Sequence, residues 1–112
     1  MPLSHRAAFA KFRCGVAPLK IEMGRYLGQT IEQRLCPFCD NVEDEIHVIL
    51  HCPAYDTLRE ELFAKVSTQL HGFSQLGNVK TIITLFSTST LVKIVAKTCF
   101  SILNTRNALL YK

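Results

Sequence analysis

The spacing of apolar residues predicts a mostly helical chain. After Pro53, apolar side chains recur at intervals of three and four, which is the spacing of one helix face, and this predicts a helix over residues 54–70. Similar patterns predict a short helix over residues 79–86 and a final helix over residues 91–110. No segment shows the strict apolar–polar alternation of a half-buried strand. The residues expected to face the core are Tyr55, Leu58, Leu62, Val66 and Leu70 in the first of these helices and Leu91, Val95, Cys99, Ile102 and Leu103 in the last.

Capping and breaking residues predict how the remaining segments begin and end. Residues 4–13 are expected to form a short basic helix with Ser4 as its N-cap, and Ser89 or Thr90 is expected to cap the final helix, because Ser and Thr favour that position. Residues 14–35 are expected to be mostly loop, because four residues there interrupt regular structure. These four are Gly15, Pro18, Gly24 and Gly28.

A further helix is predicted in the middle of the chain, over residues 42–51. Asp40 or Asn41 is its expected N-cap, and the three acidic residues 43–45 fall in its first turn, where they would complement the helix dipole. Pro53 is expected to end it, because a residue that precedes proline avoids the α region.

Length and composition indicate a small globular unit. The chain has 112 residues, of which 48% are hydrophobic and 20% charged, which is a globular rather than a disordered profile. This is the size of one domain, or of a fragment of a larger protein. Within it we distinguish a basic N-terminal segment (1–35), a cysteine-rich motif (36–53) and a helical C-terminal region (54–112), which together form one structural unit.

Charge is unevenly distributed along the chain. Residues 1–35 carry six Lys or Arg and two Asp or Glu, residues 36–63 carry one and seven, and residues 64–112 carry six and none. The two basic flanks could bind the phosphate backbone of a nucleic acid. They could equally contact the acidic middle of the same chain.

The cysteine count and the absence of long apolar runs bear on location. Five cysteines make an odd set, and the N-terminal residues lack the apolar core of a secretory signal, so a disulfide scaffold is not expected. The most apolar window, residues 91–103, is interrupted by two lysines and is too short to cross a bilayer. These features predict a soluble intracellular protein of a reducing compartment, nuclear or cytoplasmic, with no membrane partner.

One motif carries the chemistry of the sequence. Cys36, Cys39, His47 and Cys52 follow the pattern C-x2-C-x7-H-x4-C, and three thiolates with one imidazole are a typical tetrahedral zinc set. Four protein ligands close the coordination shell, which is the arrangement of a structural site. We therefore predict one structural Zn²⁺ in a small all-α, zinc-stabilised fold, with a CCHC zinc knuckle or finger between the basic N-terminal segment and the C-terminal helices. No catalytic constellation is found, so neither enzyme activity nor a small-molecule substrate is expected.

The fourth ligand has two candidates. On a continuous helix His51 would lie one turn beyond His47 and on the same face, whereas Cys52 would be rotated away. Pro53, however, obliges Cys52 to leave the helix, and that departure could bring its thiolate back to the metal. We favour Cys52.

Two other interpretations of the cysteines were weighed. The sequence Cys36-Pro37-Phe38-Cys39 is also typical of a glutaredoxin active site, but that interpretation needs an apolar strand before Cys36 and a βαβ pattern, and residues 31–35 are polar. Alternatively, the cysteines are unrelated core residues and the histidine lies on the surface; the regular spacing of the motif argues against this.

The chain resembles the C-terminal zinc-binding region of non-LTR (LINE-like) retrotransposon reverse transcriptases. The resemblance rests on residues 13–26, which include a Gly-Arg-Tyr segment, on residues 34–39, and on residues 43–55, which end in Cys-Pro-x-Tyr. It implies zinc ligands at Cys36, Cys39, His47 and Cys52, a role in holding RNA or DNA, and the rest of a reverse transcriptase as a partner. The polymerase palm and its catalytic aspartates are not present in this sequence.

Basic and aromatic residues are the candidate nucleic-acid contacts. Arg6 is one candidate, and Tyr26 or Phe38 could stack on an unpaired base. The alternative function is a zinc-stabilised protein-interaction module, in which the acidic helix and an exposed apolar stripe of the last helix dock a partner. The predicted nucleic-acid-binding residues are Lys11, Arg13, Lys20, Arg25 and Arg34.

Overall fold

A computed structural model of the protein describes residues 1–111, and Lys112, the end of the predicted C-terminal region, lies outside them. The chain is mostly helical, and residues 1–111 contain no β-strand, so the predicted helical class is confirmed. Single 3₁₀ turns and one π-helical segment join the α-helices. The five α-helices are α1 (Leu3–Arg13), α2 (Lys20–Tyr26), α3 (Asp56–Gln69), α4 (Asn78–Ser87) and α5 (Val92–Leu110).

The long C-terminal helix α5 lies at the centre of the fold. Helices α1, α3 and α4 each pack against it, and α1 and α4 meet through the rings of Phe9 and Phe86, whose centroids are 5.2 Å apart. Burial of this apolar surface is the main source of stability, at about 25 cal/mol per Å². Most of the core residues predicted for the helices over residues 54–70 and 91–110 are indeed buried. They are Tyr55, Leu62, Val66, Leu91, Val95, Cys99 and Ile102.

The predicted helices at the two ends of the chain are confirmed, but their caps are wrong. Helix α1 begins after Pro2, whose carbonyl accepts from the Arg6 N–H at 3.1 Å, and Ser4 lies inside the helix. Helix α5 follows a 3₁₀ turn at Ser89–Leu91, so neither Ser89 nor Thr90 occupies its N-cap, and Leu91 does. Backbone turns take the place of side-chain caps at both sites.

The predicted loop at residues 14–35 is wrong in part, because it contains α2 and a 3₁₀ turn at Ile31–Gln33. Helix α2 starts against a distant residue: the backbone N–H groups of Lys20 and Ile21 donate to the carboxylate and the carbonyl of Glu43, at 2.7 and 2.9 Å. A cap supplied from more than twenty residues away leaves no local signal in the sequence.

No single helix within residues 1–111 is both long and apolar enough to cross a membrane. Helix α4 and the helical stretch Ser89–Leu110 meet that test only as a pair, and the pair is bent by 80°.

Candidate metal centre

Cys36 and Cys39 lie on the tip of a miniature hairpin. Its two arms are joined by an isolated antiparallel bridge between Leu35 and Val42. The N–H of Cys36 donates to the carbonyl of Asn41 at 2.8 Å, which closes the turn that contains both cysteines. The thiols of Cys36 and Cys39, with two residues between them, therefore face the same side of one tight loop.

The helical segment after the hairpin is shorter than predicted and has a different cap. Residues 45–51 are helical, and the N–H of His47 donates to Oδ1 of Asp44 at 2.8 Å. The predicted caps at Asp40 and Asn41 are wrong, because the hairpin keeps the chain extended until residue 43. This hydrogen bond caps the first turn of the segment and fixes the backbone of His47.

A π-helical turn, His47–His51, brings Cys52 next to His47. The N–H of Cys52 donates to the carbonyl of His47 at 2.7 Å, so the hydrogen bond spans five residues instead of four. Residues five apart in sequence are then stacked, which an α-helix would not allow. Cys52 itself is extended, and Pro53 starts the next turn, as the departure predicted at Cys52 requires.

The hairpin and the π-helical turn together bring four ligand atoms close to one another. The Sγ atoms of Cys36, Cys39 and Cys52 and a ring nitrogen of His47 all lie within 4.8 Å of one another. The Cys36 and Cys52 Sγ atoms are 3.8 Å apart, and Cys39 Sγ is 3.1 Å from His47 Nε2. All five cysteines of the chain are free thiols.

This spacing suits one tetrahedral ion. Metal–sulfur bonds of about 2.3 Å and metal–nitrogen bonds of about 2.0 Å place zinc ligands about 3.5–3.8 Å from each other. Three sulfurs and one imidazole are also the donors that zinc prefers over magnesium or calcium. The four residues therefore could hold one metal ion.

His51 is not one of the four residues of this group. Its side chain is exposed, and its Nε2 lies 3.0 Å from Nδ2 of Asn78 at the start of α4. Of the two candidates for the fourth ligand, the structure thus brings Cys52 to the group.

Burial sets the protonation of the four groups. Burial raises the pKa of Cys36 to about 12 and also raises the pKa of Cys52. For Cys39, burial is outweighed by hydrogen bonds, chiefly from the backbone of Asn41, and its pKa is lowered. Burial lowers the pKa of His47, which keeps its imidazole neutral and able to bind a metal.

Arg59 on α3 fixes the end of the π-helical turn. Its guanidinium donates to the carbonyls of Val48, Ile49 and Cys52 at 3.3, 2.8 and 2.8 Å. These carbonyls have no partner within the turn because the chain leaves the helix there. Arg59 therefore holds the backbone of one ligand residue from outside the group.

Glu43 holds the hairpin from the other side. It was expected in a helical first turn, but that prediction is wrong. Its backbone N–H donates to the carbonyl of Arg34 at 2.9 Å, and its carboxylate is fully buried. Nε and Nη2 of Arg106, on α5, donate to that carboxylate at 2.9 and 2.8 Å. The sequence contains both residues, but no local pattern in it predicts that they are buried or that they form a pair.

Aromatic and thiol side chains near the motif lie in different environments. Phe38 is half-buried and meets the ring of Tyr55 edge-on, with centroids 6.3 Å apart, which suits a cover for the site. Cys99 is buried in the core, as expected of a core thiol, whereas Cys14 is exposed at the end of α1.

The predicted nucleic-acid contacts differ in exposure and in hydrogen bonding. Lys11 and Arg13 are exposed on α1, and Lys20 is half-buried. Arg25 is exposed but pairs with Glu22 at 2.7 Å. The guanidinium of Arg34 is half-buried and donates to the carbonyls of Ile21 and Gln29, so its donors are used within the fold.

Comparison with known proteins adds no relative. The chain matches no protein-family model, no curated protein and no solved structure. The site and the fold alone therefore define the class: a small, mostly helical protein with a Cys3His group that could hold one metal ion.

Proposed function

We propose that the four-residue group binds one structural Zn²⁺ and that the chain is a zinc-stabilised module of the CCHC type. The proposal is carried by one observation: three sulfurs and one imidazole nitrogen lie within 4.8 Å of one another. Cys36, Cys39, His47 and Cys52 would hold the ion. A bound ion would stabilise the thiolate forms, including those of Cys36 and Cys52, which burial otherwise keeps protonated.

The role proposed for the metal is structural rather than catalytic. Four protein ligands leave no open position for a reacting water. The ion would join the hairpin to the π-helical turn, two short segments that have little regular structure of their own. Structural zinc contributes about 10–16 kcal/mol in small finger peptides, so removal of the ion should lower the free energy of unfolding of this chain.

Metal analysis tests this proposal directly. We expect one zinc per chain in the native mass spectrum, lost under denaturing conditions. Cys52→Ser should abolish stoichiometric zinc, whereas His51→Ala, the matched control one residue away, should keep it. Zinc retained in Cys52→Ser and lost in His51→Ala would show that His51, and not Cys52, is the fourth ligand. A native chain that takes up no zinc would overturn the proposal.

We further propose that the module binds RNA or DNA, as its resemblance to the C-terminal region of non-LTR reverse transcriptases implies, and that the rest of such a polymerase is its natural partner. The net charge of +4 and the basic flanks support this proposal. Binding to a labelled single-stranded RNA and to duplex DNA should weaken steeply as salt is raised. A chain with native zinc content and no salt-sensitive binding to either would refute it.

A protein-docking role is the second candidate, but on α2, because the apolar stripe of the last helix, which was expected to be exposed, is buried in the core. Helix α2 and the following turn expose four large apolar side chains, and contiguous exposed apolar surface is typical of interaction sites. Charge reversal at Lys11, an exposed predicted contact on α1, separates the two candidates: nucleic-acid binding should weaken, whereas apolar docking on α2 should not change. The four side chains are Met23, Tyr26, Leu27 and Ile31.

A further inference from the structure

Acidic residues are confined to one part of the chain. All nine Asp and Glu residues fall within residues 22–61, whereas residues 1–21 and 62–112 contain none. The acid-free segments include all of α1, α4 and α5. Their lysines and arginines are therefore not neutralised by neighbours in sequence.

The fold brings the two acid-free segments together. Helix α1 packs along α5, and the rings of His5 and Phe100 are 4.8 Å apart. Between the two helices runs a groove of about 250 Å³, and its lining includes Lys11, Ser4 and Asn104. Lys11, near the start of the sequence, thus lies beside the C-terminal helix α5.

A second, smaller groove lies between α5 and α3. Its lining includes Lys65, Lys97 and Ser101. On α5, Lys97 lies three residues before Phe100, which lines the first groove, so the two grooves meet on neighbouring faces of that helix. Lys93 is exposed one helical turn before Lys97 and on the same face. One carboxylate, that of Glu61, also lines this groove.

We propose that Lys11, Lys65, Lys93 and Lys97 form a basic ridge that binds the phosphodiester backbone of a nucleic acid. This inference rests on the nucleic-acid binding proposed above and places it on α1, α3 and α5. All four lysines are exposed, and none forms an ion pair with another of the described residues.

The short polar residues on the ridge favour phosphate as the ligand. Phosphate contacts in proteins come from lysine and arginine together with Ser, Thr and Asn side chains. Ser4 and Asn104 line the first groove with Lys11, and Ser101 lines the second with Lys65 and Lys97. Most of the large exposed apolar side chains lie outside α1, α3 and α5, among them Met23 and Tyr26 on α2 and Val79 and Ile83 on α4. A membrane-binding face would need apolar side chains to insert.

The ridge differs from the sites expected near the metal motif. Arg25 pairs with Glu22, and Arg34 uses its donors on backbone carbonyls. Both arginines lie within residues 22–61, the stretch that holds all nine acidic residues and only three basic ones, and this excess of negative charge would repel a polyanion. On α5, Lys97 lies nine residues before Arg106, about 13 Å along the helix from the pair that anchors the metal hairpin.

The test compares two variants that lose the same charge. In the ridge variant Lys11, Lys65, Lys93 and Lys97 are changed to Gln, and in the control variant four exposed basic residues elsewhere are changed to Gln. Because each ridge lysine is exposed, the substitutions leave the core intact, and zinc content and circular dichroism verify this. The control residues are Arg6, Arg13, Arg25 and Lys80.

Binding is measured with a labelled single-stranded RNA and a duplex DNA over a range of salt concentrations. Each phosphate contact contributes about 0.7–0.9 to the slope of log affinity against log salt, so the ridge variant should lose about three from that slope and the control variant much less. Equal losses in the two variants, or a larger loss in the control, would overturn the ridge and leave nucleic-acid binding standing.

Two further outcomes are decisive. If the unmodified, zinc-loaded chain binds neither nucleic acid, the proposed function and the ridge both fail. If it instead binds vesicles containing phosphatidylserine, and the ridge variant does not, the ridge serves a membrane surface and the inference is wrong.

Discussion

Glu43 and Arg106 form a bidentate ion pair that is closed off from solvent. The two side chains lie 63 residues apart in sequence, at N–O distances of 2.9 and 2.8 Å, and are 0% and 5% exposed. Glu43 belongs to the hairpin that carries two candidate ligands, and Arg106 belongs to the central helix α5. The pair therefore fixes the metal hairpin on the helical core, and the N–H of Lys20 adds the start of α2 to the same carboxylate.

Removing one partner of this pair should be strongly destabilising. Arg106→Met leaves the Glu43 carboxylate buried without a charged partner, and such losses cost about 3–5 kcal/mol in the free energy of unfolding. Urea denaturation of the zinc-loaded protein measures the effect. The double variant Glu43→Leu/Arg106→Met should recover part of the loss, because it removes both buried charges. A single variant as stable as the unmodified chain would contradict the anchoring role.

Apolar periodicity predicts α3, α4 and α5, because each of these helices buries one apolar face in the core. Apolar periodicity does not predict the π-helical turn, because its backbone hydrogen bond spans five residues and the turn therefore departs from the three-and-four spacing of an α-helix. The position of Cys52 was predicted from Pro53, a local signal, whereas the role of Glu43 depends on Arg106, which has no local signal. Helix α2 was missed for the same reason.

Arg59 should control metal affinity without touching the metal. Arg59→Met removes the donors that hold the carbonyls of Cys52 and its neighbours, and loss of such outer support typically lowers metal affinity by 10–100-fold. Competition with a chromophoric chelator measures the zinc dissociation constant. Asp56→Asn is the matched control, because it removes only the exposed partner of Arg59 and should change affinity little.

Gly24→Ala should destabilise the protein although Gly24 lies in a helix. In an open helix this change stabilises by about 1 kcal/mol. Here a Cβ would overlap Cγ of Arg34, the side chain that joins α2 to the hairpin. We expect a net loss of about 1–3 kcal/mol in thermal or urea unfolding. An increase in stability would show that the Arg34 side chain moves aside without loss of its hydrogen bonds.

The metal-free protein should lose stability in alkaline solution. Burial raises the pKa of Cys36 and of Cys99 to about 12, from an ordinary value near 9, so the folded chain holds protons that the unfolded chain releases. The stabilising effect is complete below pH 9 and is lost as the pH rises towards 12. Unfolding of the chelator-treated protein measures it. Cys99→Ala, which cannot ionise there, should show a smaller decline between those limits.

The confinement of acidic residues to positions 22–61 gives the molecule an electric dipole moment. If the chain binds a polyanion through the ridge, as proposed, this distribution of charge would turn α1 and α5 towards the polyanion and the hairpin away from it before contact. The candidate metal site would then stay accessible to a second macromolecule.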